Sequence, residues 1–137
     1  VPSMKKARYG KIIGMSSIGA VLPPAHEIHY NTAKGAIISF TNDLATALAP
    51  YSINVNCILP GPIKTHFYDD IFGSMSEAEK EERFAAIGQK TPLQRMGTSE
   101  NIAGAALFLA SELSAYVTGH PLYVTGGLPL QPTGPAH

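Results

Sequence analysis

Three short apolar runs alternate with stretches of helical spacing along these 137 residues, and no other feature constrains the fold as much. The runs are Lys11-Ile-Ile-Gly-Met-Ser-Ser17, Ile53-Asn-Val-Asn-Cys-Ile-Leu59 and Leu122-Tyr-Val-Thr125. They are short and rich in β-branched residues. They stop at paired serines, at Pro60-Gly61-Pro62 and at Gly126-Gly127, as buried strands do. Between the first two, apolar residues recur at Ala33, Ile37, Phe40, Leu44 and Leu48. That spacing predicts a helix from about Ile28 to Leu48, stopped by Pro50. Further on, Ser76-Glu-Ala-Glu79 reads as a capping box opening a helix that Gly88 ends, with the charged run Glu77–Arg83 as its solvated face. Thr98 is placed to cap a helix over Ser99–Ala110, with Ile102, Ala106 and Leu109 as its inward stripe. Val1–Tyr9, with Lys5, Lys6 and Arg8 ahead of Gly10, reads as the last turn of a helix and its stop. Ile18–His29 reads as a loop. Residues 128–137 hold three prolines and no periodicity, and are expected to be a loose tail.

Connections of this length join parallel strands. The expected fold class is therefore α/β: a Rossmann-like, doubly wound parallel sheet of about three strands with flanking helices. It is partial beside the two βαβαβ halves of a complete sheet. Hydrophobic residues make up 45% of the chain, enough for a packed core. Ten Lys+Arg balance ten Asp+Glu, which argues against nucleic acid or an anionic membrane surface as a partner. No apolar run reaches the roughly 18 residues of a membrane span, and no apolar segment of a signal peptide follows the basic residues of Val1–Gly10. The single cysteine, Cys57, excludes a disulfide framework and a cysteine zinc cluster within the chain, and reads as a small buried hydrophobe. A reducing, cytoplasmic setting is the expectation. Charged residues are only 15%, against roughly 25% in typical domains, so part of the surface is expected to be covered by a partner or by further chain.

Chemistry concentrates where the strands end. Tyr30 and Lys34 are four apart at the start of the long helix, one turn apart on one face. A phenol ionises near pH 10, and a neighbouring ammonium favours the phenolate, so the pair suits proton transfer to or from an alcohol oxygen. Ser17 closes the first strand, at the end where open α/β sheets place their ligand crevice. Its hydroxyl can bond the same oxygen, while Ser16 should point to the other face. Pro60-Gly61-Pro62-Ile63-Lys64-Thr65 closes the second strand. There Gly61 lets backbone approach a flat ligand, and the Ile63 amide and Thr65 hydroxyl can meet a carboxamide.

Each feature has a plainer reading. Tyr30 and Lys34 alone make an ordinary exposed helix pair, and Ser17 alone a turn serine; their common spacing with Pro60–Thr65 favours a site. His26, Glu27 and His29 lack the H-E-x-x-H spacing of zinc sites, so no metal is assigned and a loop is read there. The Lys5–Lys11 basic cluster reads as a helix C-terminus rather than an anion site. For His66-Phe-Tyr-Asp-Asp-Ile-Phe72 two readings stand level: aromatics covering a substrate, or aromatics packing on the next helix.

Ser17, Tyr30-Asn-Thr-Ala-Lys34, Ile53-Asn-Val-Asn, Pro60-Gly-Pro-Ile-Lys-Thr65, Tyr116-Val-Thr-Gly119 and Gly126-Gly127 together resemble the classical short-chain dehydrogenases/reductases. The resemblance implies hydride transfer between NAD or NADP and a small-molecule alcohol/carbonyl pair. It implies Tyr30 as general acid/base, Lys34 as its partner and a ribose ligand, and Ser17 as the group orienting the substrate oxygen. Pro60, Gly61, Ile63 and Thr65 would line the nicotinamide end. It further implies a homo-oligomer in the complete enzyme. Residues 1–127 would be the C-terminal, catalytic half of the domain. The family's TGxxxGxG loop is not found in the 137 residues, since Gly10 and Gly14 bracket a strand, and Thr125 stands where the family commonly has Asp. A second expectation is an association module that docks a complementary half or a dimer partner. It would use the strand edge at Lys11–Ser17 and the helix face carrying Ala33, Ile37, Phe40 and Leu44.

Overall fold

A computed structural model describes residues 1–24 and 26–130. In chain order its elements are α1 (Pro2–Ala7), β1 (Gly10–Met15), α2 (Ile28–Leu48), β2 (Ile53–Pro60), α3 (Asp69–Phe72), α4 (Glu77–Gly88), α5 (Ser99–Ala110) and β3 (Pro121–Val124). The three strands form one parallel sheet in the order β1-β2-β3. Gly10 to Met15 align with Ile53 to Ile58, and Cys57 to Pro60 align with Pro121 to Val124.

Central β2 explains the layering. Side chains alternate along a strand, and this strand reads Ile53-Asn-Val-Asn-Cys-Ile-Leu-Pro60. Ile53 and Val55 pack against Ala45 and Leu48 of α2, with Met4, Ile12 and Leu44 at the margin. Asn54 and Asn56 face the other way. Asn56 is buried, yet its amide donates to the Val117 carbonyl at 2.9 Å and accepts from the His120 amide at 3.0 Å. Asn54 donates to Ala115 and Val117 and accepts from Lys11 Nζ. These bonds fasten the connection that leaves α5, which crosses all three strands. Leu109 of α5 is fully buried, with Ile102 and Ala106 half-buried on the same stripe.

The long helix spans the expected residues, but the stripe that reveals it coincides only in part with the face on the sheet, sharing Leu48 and, at the core margin, Leu44. Asn31, Thr41, Ala45 and Leu48 are buried, whereas Phe40 is 63% exposed and Ala33 is exposed. Small residues make this possible. A Cβ on Gly14 would lie 3.1 Å from Ile37 Cγ2 and 3.7 Å from Thr41 Oγ1, so the helix rides close over β1. Thr41 satisfies its hydroxyl within the helix, on the Ile37 carbonyl at 2.7 Å. Ile37 and Leu44 sit half-buried on the β1 flank of the helix.

The basic cluster near the start is used structurally. Lys5 and Lys6 lie in the last turn of α1, where they favour its carbonyl end. Lys5 also lies 4.4 Å from the Tyr51 ring centroid, and Arg8 donates to the Pro50 carbonyl. Cys57 is wholly buried, and loss of water raises its thiol pKa, opposed by a hydrogen bond with Thr41. The 128–137 segment is described only to Leu130, whose amide bonds the Gly127 carbonyl; the rest lies outside the described residues. Among the described residues no helix is long and apolar enough to cross a membrane.

Candidate active site

Strand β1 stops at Met15, and the two serines diverge just beyond it, as alternation requires. Ser16 is buried and donates to the Lys34 carbonyl at 2.7 Å, tying the strand end to the first turns of α2. Ser17 is half-buried and accepts the Gly19 amide at 3.1 Å, capping the turn Ile18–Ala20. Lys34 reaches back from α2, its ammonium donating to the Met15 carbonyl at 3.0 Å and lying 5.6 Å from the Tyr30 ring centroid. Tyr30 is half-buried on that side of the helix. Thus Tyr30, Lys34 and the Met15–Ser17 strand end gather at one corner of the sheet. The Ser17 hydroxyl is engaged with Gly19 rather than with Tyr30.

The second cluster, Pro60–Thr65, leaves the neighbouring strand but leans toward β3 and α5. A Cβ on Gly61 would come within 2.7 Å of the Thr125 Cα, so the close approach that this glycine permits is to protein backbone. Ile63 forms a parallel bridge with Gly97. The bonds run from the Gly97 amide to the Pro62 carbonyl and from the Lys64 amide to the Gly97 carbonyl, leaving the Ile63 N–H outside that ladder. Thr65 is exposed, and its hydroxyl accepts the Phe67 amide as the cap of the turn His66–Tyr68.

The aromatic segment then folds over. Tyr68 and Phe72 stack on one another, with ring centroids 5.4 Å apart, and both meet Phe84 of α4, at 5.5 and 5.0 Å. Packing on the next helix therefore occupies these two rings, while Phe67 stands edge-on to Tyr68 and exposed. Burial raises the Tyr68 pKa, and so, secondarily, does the charge of Glu27, which places the segment near the start of α2. Lys64 ties the strand end to α4 through Glu81 and lies 4.7 Å from the Phe84 centroid.

Asn31 carries no notice in the sequence beyond its place after Tyr30. It is buried, its Nδ2 donates to the Pro24 carbonyl at 3.3 Å, and its Oδ1 has no partner. A Cβ on Gly19 would fall 2.4 Å from that oxygen. Asn31 lines a cleft of about 490 Å³ with Gly19, Pro23, Pro24 and Ile28, on the side of α2 away from the Ile37–Leu44 flank. His26 and His29 are exposed, and no group of three or more metal-ligating side chains assembles among the described residues.

The chain is similar to known proteins along most of its length. A family model described as enoyl-(acyl carrier protein) reductase matches residues 1–129. An L-rhamnose 1-dehydrogenase (NAD(P)(+)) of Azotobacter vinelandii is 40% identical over 124 residues, 90% of this chain and 46% of the relative. A 3-oxoacyl-[acyl-carrier-protein] reductase FabG of Chlamydia pneumoniae is 44% identical over 125 residues, 91% of this chain and 47% of the relative. The solved structure of ElxO with NADP bound superposes with a TM-score of 0.79 at 30% identity, over 91% of this chain and 48% of that one. The chain spans about half the length of the curated relatives it matches. A parallel sheet carrying Tyr30 and Lys34 beside its first strand end, matched along almost its whole length, belongs to the short-chain dehydrogenase/reductase family.

Proposed function

We propose that this chain supplies the proton-transfer corner and nicotinamide-facing loop of an NAD(P)-dependent oxidoreductase acting on a small-molecule alcohol/carbonyl pair. The observation that carries the reading is Lys34. Its ammonium is fixed on the Met15 carbonyl beside Tyr30, two residues from Ser17. Oxidoreductase names among relatives that match nine-tenths of the chain support it.

The residues present fit the nicotinamide-ribose end of such a cofactor. The Ile63 amide is left outside the local ladder, and Lys34 offers an ammonium at the same edge of the sheet. When bound, a nicotinamide ring gives or takes the hydride. The rest falls to this chain. The Tyr30 hydroxyl moves a proton at the substrate oxygen, and Lys34 stabilises the phenolate side of that exchange. The Ser17 hydroxyl accepts from Gly19 through its oxygen and so can still donate its own proton to the substrate oxygen as negative charge grows there. Tyr30, Lys34 and Ser17 are the proposed catalytic residues. Pro60, Gly61, Ile63 and Thr65, together with Tyr30 and Lys34, are the proposed cofactor-binding residues. Residues 1–127 form the proposed catalytic half.

A titration of the 137-residue chain with NADH and NADPH, followed by nicotinamide fluorescence, tests the reading. Saturable binding that Lys34→Ala weakens is the expected result. A folded chain that binds neither favours the second reading, an association module. That reading rests on β1 as an edge strand of the sheet that the described residues form and on the exposed Phe40 on the adjoining flank of α2.

A further inference from the structure

A cleft of about 410 Å³ opens at the C-terminal ends of β2 and β3, within the ~300–1,000 Å³ range of small-molecule sites. Ile63, Leu93, Tyr123, Val124 and Leu130 form apolar walls, and Arg95 and Asn101 supply polarity. Arg95, exposed at the cleft, is its one charged lining residue. Among the described residues its hydrogen bonds come from Nη1 and go to neutral acceptors, the Met96 carbonyl at 3.0 Å and Asn101 Oδ1 at 3.3 Å. None of the ion pairs among the described residues includes it. The carboxylate nearest in sequence, Glu100, is taken up by Thr98 and its own backbone, which hold its pKa down. A guanidinium carries five N–H donors in a planar fork matched to a carboxylate, and here that fork borders apolar residues with no carboxylate paired to it among the described residues.

The base of this side chain is fixed. A Cβ on Gly88 would lie 2.9 Å from the Arg95 Cα, so α4 ends in direct contact with it. The buried Thr91 hydroxyl lies 2.9 Å from the Gly88 carbonyl and 3.0 Å from the Arg95 carbonyl, drawing both together. The Leu93 amide bonds the Gly126 carbonyl at 3.0 Å, so the same turn is tied to the end of β3. A donor held in place before its ligand arrives loses less freedom on binding.

We propose that this cleft binds a small apolar carboxylate, the acid group bidentate on Arg95 and the hydrocarbon body along Ile63, Leu93 and Tyr123. The inference goes beyond hydride transfer, and its test needs neither cofactor nor turnover. Hexanoate is titrated into the ¹⁵N-labelled 137-residue chain and followed by amide shifts, beside hexanamide and inorganic phosphate. Expected are saturable shifts at Ile63, Leu93, Tyr123 and Arg95, with hexanamide at least about tenfold weaker because it lacks the charge-assisted pair. Arg95→Gln should bring hexanoate to the hexanamide level, and Arg95→Lys should fall between, since an ammonium cannot make the fork. Equal affinity for hexanoate and hexanamide overturns the proposal, as do shifts located elsewhere or no saturable shift. Displacement by equimolar phosphate also overturns it, because the cleft would then be a general anion site. Should Arg95→Gln unfold the chain, the hexanoate/hexanamide comparison on the parent decides the matter.

Discussion

A buried amide is costly unless each of its polar atoms finds a partner, and Asn56 finds both on a segment some 60 residues away in sequence. Replacing it with leucine keeps the volume but strands the His120 amide and leaves the Val117 carbonyl with Asn54 alone. Asn56→Leu should destabilise the fold by about 1–3 kcal/mol, read as a lower urea midpoint with little change in slope. Tyr30→Phe removes one oxygen and nothing that packs. In the active enzyme it should cost at least about 100-fold in turnover and leave cofactor affinity within about twofold; a loss under tenfold would contradict the role given to Tyr30. Residue chemistry was legible wherever it depends on near neighbours. The Tyr30–Lys34 spacing and the Ser16/Ser17 divergence follow from one helix turn and one strand alternation. What Gly61 serves was not legible, because the atom it must clear belongs to Thr125, far along the chain. Asn31 was passed over for the same reason: its burial depends on the fold of residues 17–24.

Apart from the one-turn α3, which was not anticipated from sequence, helices and strands lie where periodicity, caps and breakers put them, within a residue or two at each end. The orientation of α2 was hidden, because apolarity reports the helix while side-chain size decides which face can approach Gly14. Helix α4 shows the local rule working alone. Ser76 Oγ accepts the Glu79 amide, and the Glu79 carboxylate accepts the Ser76 amide at 2.8 Å and hydroxyl at 2.7 Å. Those bonds, the hydroxyl first and the amide second, hold the Glu79 pKa below the ordinary glutamate value. A lowered folded-state value means that the contribution is complete above the ordinary pKa and is lost as pH falls through the folded one. Amide exchange at the start of α4 should therefore quicken as pH drops below the usual glutamate range, after correction for intrinsic rates. Ser76→Ala should quicken it already at neutral pH and flatten that dependence.

At the scale of the molecule, β1 is an edge strand of the sheet that the described residues form, and beside it α2 presents the exposed Ala33 and Phe40, with Ile37 and Leu44 half-buried. The low charge content anticipated such a surface, though composition has no address and cannot say where it lies. If this flank serves association between copies, the chain should elute larger than a monomer, and Phe40→Asp should restore monomer size with an unchanged circular dichroism spectrum. A parent that is monomeric at every concentration, by sedimentation velocity, contradicts that role.

The central position of β2 also sets an order of events during synthesis. Among the described strands, the partner of β1 lies beyond the whole of α2, so neither ladder between them can form until β2 emerges. Parallel pairings across such separations are slow to close. Until then Ile12 and Ile13 lack the cover of β2, and Lys11 is the one charge within that strand to discourage a neighbouring nascent chain from taking that place first. Its later bond to Asn54 means that this guard becomes a fastener once the proper partner arrives.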